Sequence, residues 1–319
     1  MKTFRSLHEL PPDFGPVVAT IGNFDGVHRG HRWVIEQVNA RARALGLRSL
    51  AITFEPHPAR VLRPDAPHLF ISPLKQKLAL LAETGIDATL VLPFTEELSR
   101  LSPEEFARGV LRDGVGVREV HEGETFRFGH NASADMQSLE ALGRDLGFQC
   151  EAYAPYILRG GPVSSSRIRR LLCEGEVSGA RALLGRPFAV ESTPASGRGY
   201  GTRYTVPTIN LAPYPELLPA MGVYITTLTV GGECFEAVTN VGNRPTFGAD
   251  SFTVESHLLN FHPIELSEET PLELAFLKRL RAEKKFESPE ALLAQIRLDV
   301  GKAQRYFRLA RAADARPQG

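Results

Sequence analysis

The hydrophobic pattern of this 319-residue chain changes near residue 185, and this change constrains the fold more than any other feature. Before residue 185, short apolar runs such as Val17–Ile21 alternate with helical patterns such as His31–Leu45. Consecutive strand–helix units pack through right-handed crossovers. The first part of the chain is therefore predicted to be an α/β domain with a doubly wound parallel sheet.

After residue 185, apolar side chains recur at every second position, which is typical of antiparallel strands. The clearest example is a hairpin over residues 222–241 with a Gly-Gly turn. We expect a small antiparallel β-barrel and then one long C-terminal helix starting at Ser288. A Gly-Arg-Pro hinge ends the last helix of the first part, so the predicted domains are residues 1–184 and 185–319.

The composition excludes several classes of protein. Lys and Arg together number 37, as do Asp and Glu, so the net charge is zero and no nucleic-acid partner is expected. No apolar run approaches the roughly 20 residues of a membrane helix. Met1–Leu10 has no signal-peptide pattern, and Cys150, Cys173 and Cys234 are far apart, as expected in a reducing compartment. We expect a cytoplasmic protein that does not enter a membrane.

A glycine-containing loop joins the first strand to the first helix and has the composition of a phosphate site. It comprises Gly22, Asn23, Phe24, Asp25, Gly26, Val27, His28, Arg29, Gly30 and His31. Glycines let a ligand approach the backbone, and a helix N-terminus attracts anions. His28 and His31 can both donate to phosphoryl oxygens as negative charge develops there. The alternative is an ordinary turn with two solvent-exposed histidines.

A second phosphate-type motif lies in residues 160–169, where two glycines and a proline precede three serines and a helix. The hydroxyls of Ser164 and Ser165 can bind phosphate or cap the helix, and Arg169 can clamp a phosphate. The alternative is simply a capped amphipathic helix. Together, the two motifs indicate nucleotidyl transfer.

Two further segments are suited to a flat ligand. Phe54, Pro56 and His57 follow the second long strand, at the sheet edge where open α/β sheets bind ligands. Phe126 and Phe128 lie on one face of an extended segment and provide a stacking surface. The alternatives are a rigid loop with an incidental histidine and a pair of core phenylalanines.

In the second part, the Thr208 hydroxyl and the Asn210 carbonyl follow Pro207 at a spacing that can present hard oxygen ligands to Mg²⁺. The alternative is a plain turn into a strand. Glu255 lies in a strand and shares a face with Leu259, so that face is not entirely solvated.

These motifs resemble those of the prokaryotic bifunctional riboflavin kinase/FAD synthetase family over nearly the whole chain. Residues 22–31 match its HxGH signature, residues 163–169 are similar to its ISSTxxR signature, and residues 207–210 match its PTxN motif. The resemblance implies a Rossmann-like nucleotidyltransferase domain followed by a β-barrel riboflavin kinase domain with a long C-terminal helix.

The resemblance also implies two activities and the residues behind them. The N-terminal domain would join FMN to the AMP part of ATP, giving FAD and pyrophosphate, with His28 and His31 stabilising the transition state. Ser164, Ser165 and Arg169 would hold phosphates. The C-terminal domain would phosphorylate riboflavin to FMN with ATP and Mg²⁺.

In the kinase domain, the resemblance makes Glu255 the general base, Thr208 and Asn210 the Mg²⁺ and ATP ligands, and Arg281 a flavin contact. Ligands would be flavins and ATP, and the chain would be a monomer or a weak homo-oligomer.

The kinase half departs from the family pattern at Ser192, Thr202 and Thr205, and it lacks the Asp-Leu-Tyr-Gly that usually follows the Glu255 segment. One alternative is therefore an FAD synthetase whose kinase-like domain has become a flavin-binding or regulatory module. The other is a non-catalytic flavin- or RNA-binding module.

Overall fold

A computed structural model describes residues 1–66, 68–195, 208–243 and 252–314. Two compact units make up the chain, Met1–Ser165 and Ser166–Gly319. Within the described ranges, no helix is both long enough and apolar enough to cross a bilayer.

The first unit is built on a sheet of six parallel strands in the order β1-β4-β3-β2-β5-β6. Its strands are β1 (Lys2–Phe4), β2 (Val17–Ile21), β3 (Arg48–Glu55), β4 (Ala88–Pro93), β5 (Val117–Gly123) and β6 (Gln149–Tyr153). All five residues of β2 are buried, because a central parallel strand is covered on both faces. The predicted doubly wound parallel sheet is confirmed.

Helices and short segments connect these strands. The helices are α1 (Arg29–Leu45), α2 (Pro58–Leu62), α3 (Leu74–Ala82), α4 (Glu96–Arg100), α5 (Pro103–Glu105) and α6 (Met136–Leu146), with a π-helix over Phe106–Val115 and the short strands β7 (Ile157–Leu158) and β8 (Gly161–Pro162). Helix α1 begins two residues earlier than predicted because His28 caps it, and it ends at Gly46 in a left-handed conformation (φ 67°).

The sheet reverses its winding direction between β2 and β5. Their pairing runs from Val17 to Ala19 on β2 and reaches Val120 on β5. Beyond that register the two strands no longer pair. In open α/β sheets, ligands bind at this switch point.

The second unit contains six strands in the order β10-β13-β12-β11-β14-β9. Its elements are α7 (Ser165–Cys173), α8 (Val177–Leu184), β9 (Phe188–Ser192), β10 (Thr208–Asn210), β11 (Gly222–Val230), β12 (Glu233–Asn243), β13 (Phe252–Leu258), β14 (Leu272–Ala282) and α9 (Pro289–Asp314). All the strand pairs are antiparallel.

The two edge strands of this sheet meet, so the sheet closes into the predicted barrel. Backbone hydrogen bonds of 2.8 Å run from Ala195 N–H to the Asn210 carbonyl and from Ala212 N–H to the Thr193 carbonyl. The predicted hairpin over 222–241 and the long C-terminal helix are also confirmed. Helix α9 covers part of the barrel, with Phe307 packed in the cluster around Ile225.

Candidate active sites

The loop after β2 has a strained backbone that neighbouring groups hold in place. Phe24 and Val27 have φ angles of 47° and 37°, a region that a β-branched side chain rarely enters. The buried Asp25 carboxylate accepts the Ile71 N–H at 2.9 Å and the Ser72 N–H at 3.1 Å. The aspartate predicted to bind ATP therefore ties this loop to the segment before α3, and its contact with ATP stays a prediction.

The two histidines of the loop form a stacked pair at the start of α1. Their ring centroids are 3.6 Å apart, and the planes differ by 14°. His28 Nδ1 accepts the His31 N–H at 3.2 Å, so His28 caps the helix. Burial, and then the nearby His28 and Lys77, lower the pKa of His31 well below its usual value. His31 Nδ1 is buried and has no hydrogen-bond partner in the described part of the chain.

The second phosphate motif packs against this helix start. Ser165 Oγ donates to the Asp25 carbonyl at 2.9 Å. A Cβ on Gly30 would lie 3.5 Å from the Val163 carbonyl, an ordinary contact distance, so Val163 also lies against the start of α1. The structure thus brings two motifs together that are about 130 residues apart in sequence, and Ser164 directly precedes Ser165 at the start of α7. Arg169 lies one turn further along α7, in the second unit.

A cavity of about 640 Å³ adjoins the loop, within the usual range for small-molecule sites. Gly22 and Asn23 line one end, and Phe54, Phe126 and Phe128 form aromatic walls. The rings of Phe126 and Phe128 are 5.7 Å apart and nearly parallel. Three of the five residues predicted to face a flat ligand therefore line one cavity, together with part of the phosphate loop.

Pro56 and His57 are not among the residues that line this cavity. His57 instead caps α2, accepting the Ala59 N–H at 3.1 Å, and its ring lies 4.4 Å from that of Phe70. This placement agrees with the alternative of a structural histidine in a rigid loop, and a flavin contact from Pro56 or His57 stays a prediction.

Two buried ionisable residues at this site were not found from the sequence. Lys77 of α3 donates to the Asn23 carbonyl and to Thr53 Oγ1, both at 3.2 Å. Glu122 of β5 accepts from Thr20 Oγ1 at 2.9 Å and from the Ile21 N–H. Lys77 precedes Leu80 and Leu81 by three and four residues, so it lies on the apolar face of α3. A lysine at such a position could have indicated from the sequence that Lys77 is buried. Glu122 had no comparable signal.

In the second unit, strand register brings the predicted kinase residues together. Asn210 of β10 is paired with Glu255 of β13, and Thr208 is paired with His257 two positions away. Paired residues and residues two apart share one face of a sheet, so all four side chains belong to the same face. Thr208 Oγ1 and His257 Nδ1 are 3.3 Å apart, and burial lowers the pKa of His257.

Arg281 at the end of β14 forms an ion pair with α9. Its Nε donates to Asp299 Oδ2 at 2.9 Å, and the carboxylate is almost fully buried. The other carboxylate oxygen accepts from Gln295 at 2.9 Å. The guanidinium also lies 5.6 Å from the centre of the Phe286 ring. The flavin contact predicted for Arg281 stays a prediction.

Among the departures from the family pattern, Ser192 ends β9, where its hydroxyl donates to the Ala212 carbonyl at 3.3 Å. Thr202 and Thr205 lie outside the described residues, as does Pro207.

Comparison with known proteins agrees with the two-part organisation. Residues 11–167 match the FAD synthetase family model, and residues 184–307 match the riboflavin kinase model. A bifunctional riboflavin kinase/FMN adenylyltransferase from Pseudomonas fluorescens is 36% identical over 309 residues, which is 95% of this chain and 97% of the relative. Its counterpart from Escherichia coli K12 is 32% identical, with 98% and 100% of the two chains covered.

The chain belongs to the bifunctional riboflavin kinase/FMN adenylyltransferase family. The resemblance inferred from the motifs is thereby confirmed. The FAD synthetase model spans the stacked histidines and the aromatic cavity, and the riboflavin kinase model spans the face that carries Thr208, Asn210 and Glu255. A solved structure described as a macrolide-efflux protein from Streptococcus pneumoniae has a TM-score of 0.83 at 23% identity, covering 95% of this chain and 98% of that one. At that identity the match supports the fold alone.

Proposed function

We propose that this chain carries out both reactions of its family. The C-terminal domain phosphorylates riboflavin to FMN with ATP, and the N-terminal domain adenylylates FMN to FAD. The observation that supports the second reaction most directly is the packing of Ser165 and Val163 against the start of α1, beside a cavity with aromatic walls. The family's bifunctional relatives favour this function over a synthetase with an inactive kinase-like module.

In the adenylyl transfer, an oxygen of the FMN phosphate attacks the α-phosphorus of ATP. A new P–O bond forms, the bond from the α-phosphorus to the bridging β-oxygen breaks, and pyrophosphate leaves. His28 and His31 donate hydrogen bonds to the oxygens on which charge develops, and Ser164, Ser165 and Arg169 hold phosphates. The protein contributes mainly by positioning FMN and ATP and by neutralising the charge on the phosphate oxygens.

The flavin ring of FMN lies in the cavity lined by Phe54, Phe126 and Phe128. Near-parallel aromatic side chains give a planar ring both apolar area and a stacking surface. Gly22 and Asn23 line the same cavity, so the flavin phosphate would be close to the loop that carries the histidines.

In the kinase reaction, Glu255 takes the proton from the ribityl 5′-hydroxyl as that oxygen attacks the γ-phosphorus of ATP. The bond from the γ-phosphorus to the bridging β-oxygen breaks, and ADP leaves. The pairing of Glu255 with Asn210 supports this role, because it places the base beside the residue proposed to bind the nucleotide.

The donors on this face fit Mg²⁺. Thr208 and Asn210 supply a hydroxyl and an amide oxygen, which are hard ligands that suit Mg²⁺ when phosphates and water complete its coordination. Within the described ranges, no group of three or more His, Cys, Asp or Glu residues is arranged to bind a metal. A bound Mg²⁺ would neutralise charge on the transferred phosphate.

We also propose the functional domains as residues 1–184 and 185–319, supported by a riboflavin kinase match that begins at residue 184. The chain is proposed to act in the cytoplasm as a monomer or weak homo-oligomer. Its zero net charge supports the absence of a nucleic-acid partner.

The test is a two-substrate assay on purified wild-type, His28→Ala and Glu255→Ala proteins. Each is incubated with ATP and Mg²⁺ and either riboflavin or FMN, and the flavins are separated by chromatography. We expect His28→Ala to abolish FAD formation and spare FMN formation, and Glu255→Ala to do the reverse. Wild-type protein that makes FAD from FMN but no FMN from riboflavin would refute the kinase half, and the opposite result would refute the synthetase half.

A further inference from the structure

Lys77 is a buried lysine in the synthetase unit that the reaction described above does not use. Its side chain extends from α3 and the residue is only 4% exposed. Burying an ammonium group is costly unless it is hydrogen-bonded. Here it donates to the Asn23 carbonyl and to the Thr53 hydroxyl, each at 3.2 Å. One side chain thus joins α3, the loop after β2 and the end of β3.

The two acceptors belong to segments that carry the proposed chemistry. Asn23 lines the cavity and lies in the strained loop that leads to His28. Thr53 directly precedes Phe54, which lines the same cavity. The Thr53 hydroxyl also contacts the Asn23 carbonyl at 3.4 Å. A displacement of this junction would therefore move both the phosphate loop and one aromatic wall.

The charge of Lys77 also acts on His31. It contributes to lowering the pKa of His31, after burial and after His28. Burial lowers the pKa of Lys77 itself, while the carboxylates of Glu55 on β3 and Asp25 in the loop oppose this change. Among the residues that the structure describes, His28, Glu55 and Asp25 are the other charged and titratable groups that shift the pKa of Lys77 or His31.

We propose that Lys77 is a positioning residue for adenylyl transfer, which fixes the Asn23 loop against the end of β3 and places a positive charge near His31. This inference rests on the proposed synthetase site. It differs from a purely structural role because it links Lys77 to the pH dependence of catalysis as well as to loop geometry.

The test compares Lys77→Met, Lys77→Gln and Lys77→Arg with Lys75→Met, a change at an exposed lysine on the same helix. The rate of FAD formation from FMN is measured against pH with ATP and Mg²⁺. FMN formation from riboflavin and thermal melting are measured on the same samples, and they report whether the protein is folded.

For Lys77→Met we expect kcat for FAD formation to fall about 100-fold, the scale on which misplaced active-site groups reduce rates, with KM values changed less than about threefold. Without the nearby cation His31 is protonated more readily, and a protonated His31 would put a positive charge against the stacked His28 ring. The midpoint of the acid limb of the kcat profile should therefore move to higher pH. Lys77→Arg should retain the wild-type midpoint. Lys75→Met should match wild type.

Lys77→Gln keeps a donor and loses the charge, so it serves as the test if the Met variant does not fold. The deciding measurement uses whichever of the Met and Gln variants folds. If its acid-limb midpoint equals that of wild type and its kcat for FAD formation is within threefold of that of Lys75→Met, the proposal for Lys77 is overturned while the synthetase function remains intact. A wild-type protein unable to form FAD from FMN would instead refute the proposed function, and the role of Lys77 with it.

Discussion

Replacing Glu122 by Gln should make the synthetase unit more stable at neutral pH. Glu122 is 7% exposed, at the point where β2 and β5 separate. Burial is the main cause that raises the pKa of its carboxyl from 4.5 to about 8, although hydrogen bonds from Ile21 and Thr20 oppose the rise. Gln resembles the protonated carboxyl in shape and retains an oxygen acceptor, but it cannot ionise.

The sign and size of the effect follow from proton linkage. Between pH 4.5 and about 8, folded Glu122 retains a proton that the unfolded chain has released, so the stability of the wild type falls as pH rises through this window. Each pH unit costs about 1.4 kcal/mol in the middle of this window, which gives between about 2 and 3 kcal/mol from pH 5.5 to pH 7.5. The stability of Glu122→Gln relative to wild type should increase by that amount over the same interval.

The single tryptophan, Trp33, provides the assay, because it lies in α1 with its ring 5.0 Å from that of Tyr153. Its fluorescence in denaturant titrations reports on the unfolding of the first unit. Glu105→Gln is the control in the same unit: hydrogen bonds from Ser102 lower the pKa of Glu105, so its carboxylate is ionised in both folded and unfolded chains throughout the interval. The difference in free energy of unfolding between this control and wild type should be the same at every pH in the interval. If the difference in free energy of unfolding between Glu122→Gln and wild type were also independent of pH, the proposed proton linkage at Glu122 would be refuted.

Three other substitutions have separate expected outcomes. Gly129→Ala introduces a Cβ 2.7 Å from Pro103 Cγ at a backbone φ of 76°. We expect the free energy of unfolding of the first unit, measured in denaturant titrations, to fall by about 2 kcal/mol and the KM for FMN to rise. Phe54→Ala removes one wall of the cavity and should raise KM for FMN about tenfold while leaving KM for riboflavin unchanged. Asp299→Asn deprives Arg281 of its buried counter-charge; a loss of about 3 kcal/mol should appear as faster thermal inactivation of the kinase.

Local pattern was sufficient to predict most of the secondary structure and the phosphate loop. The unbroken apolar run of β2 matched a strand buried on both faces, and Gly46 ended α1 in the left-handed conformation that glycine favours. These features depend on neighbours within a few residues, which the sequence displays directly.

The local sequence pattern could not predict contacts between segments that are distant in the chain. The pairing of Asn210 with Glu255 depends on how the barrel strands are aligned, and a one-residue slip would put the two side chains on opposite faces. His57 illustrates the reverse case: the sequence showed a histidine in a rigid loop, but only the structure shows that its ring nitrogen is used to cap α2.

Glu122 and Lys77 share a role that depends on long-range contacts: each hydrogen-bonds to the backbone next to Gly22. Where the β2–β5 ladder stops, the backbone of β2 loses its regular partners on that side, and Glu122 supplies the acceptor for the Ile21 N–H. On the other side, Lys77 supplies the donor for the Asn23 carbonyl. Two buried ionisable side chains thus secure the backbone on either side of Gly22, immediately before the strained residues. Such strain persists only where the surroundings fix the chain from several directions, so the site depends on the residues that anchor the loop as well as on the histidines it presents.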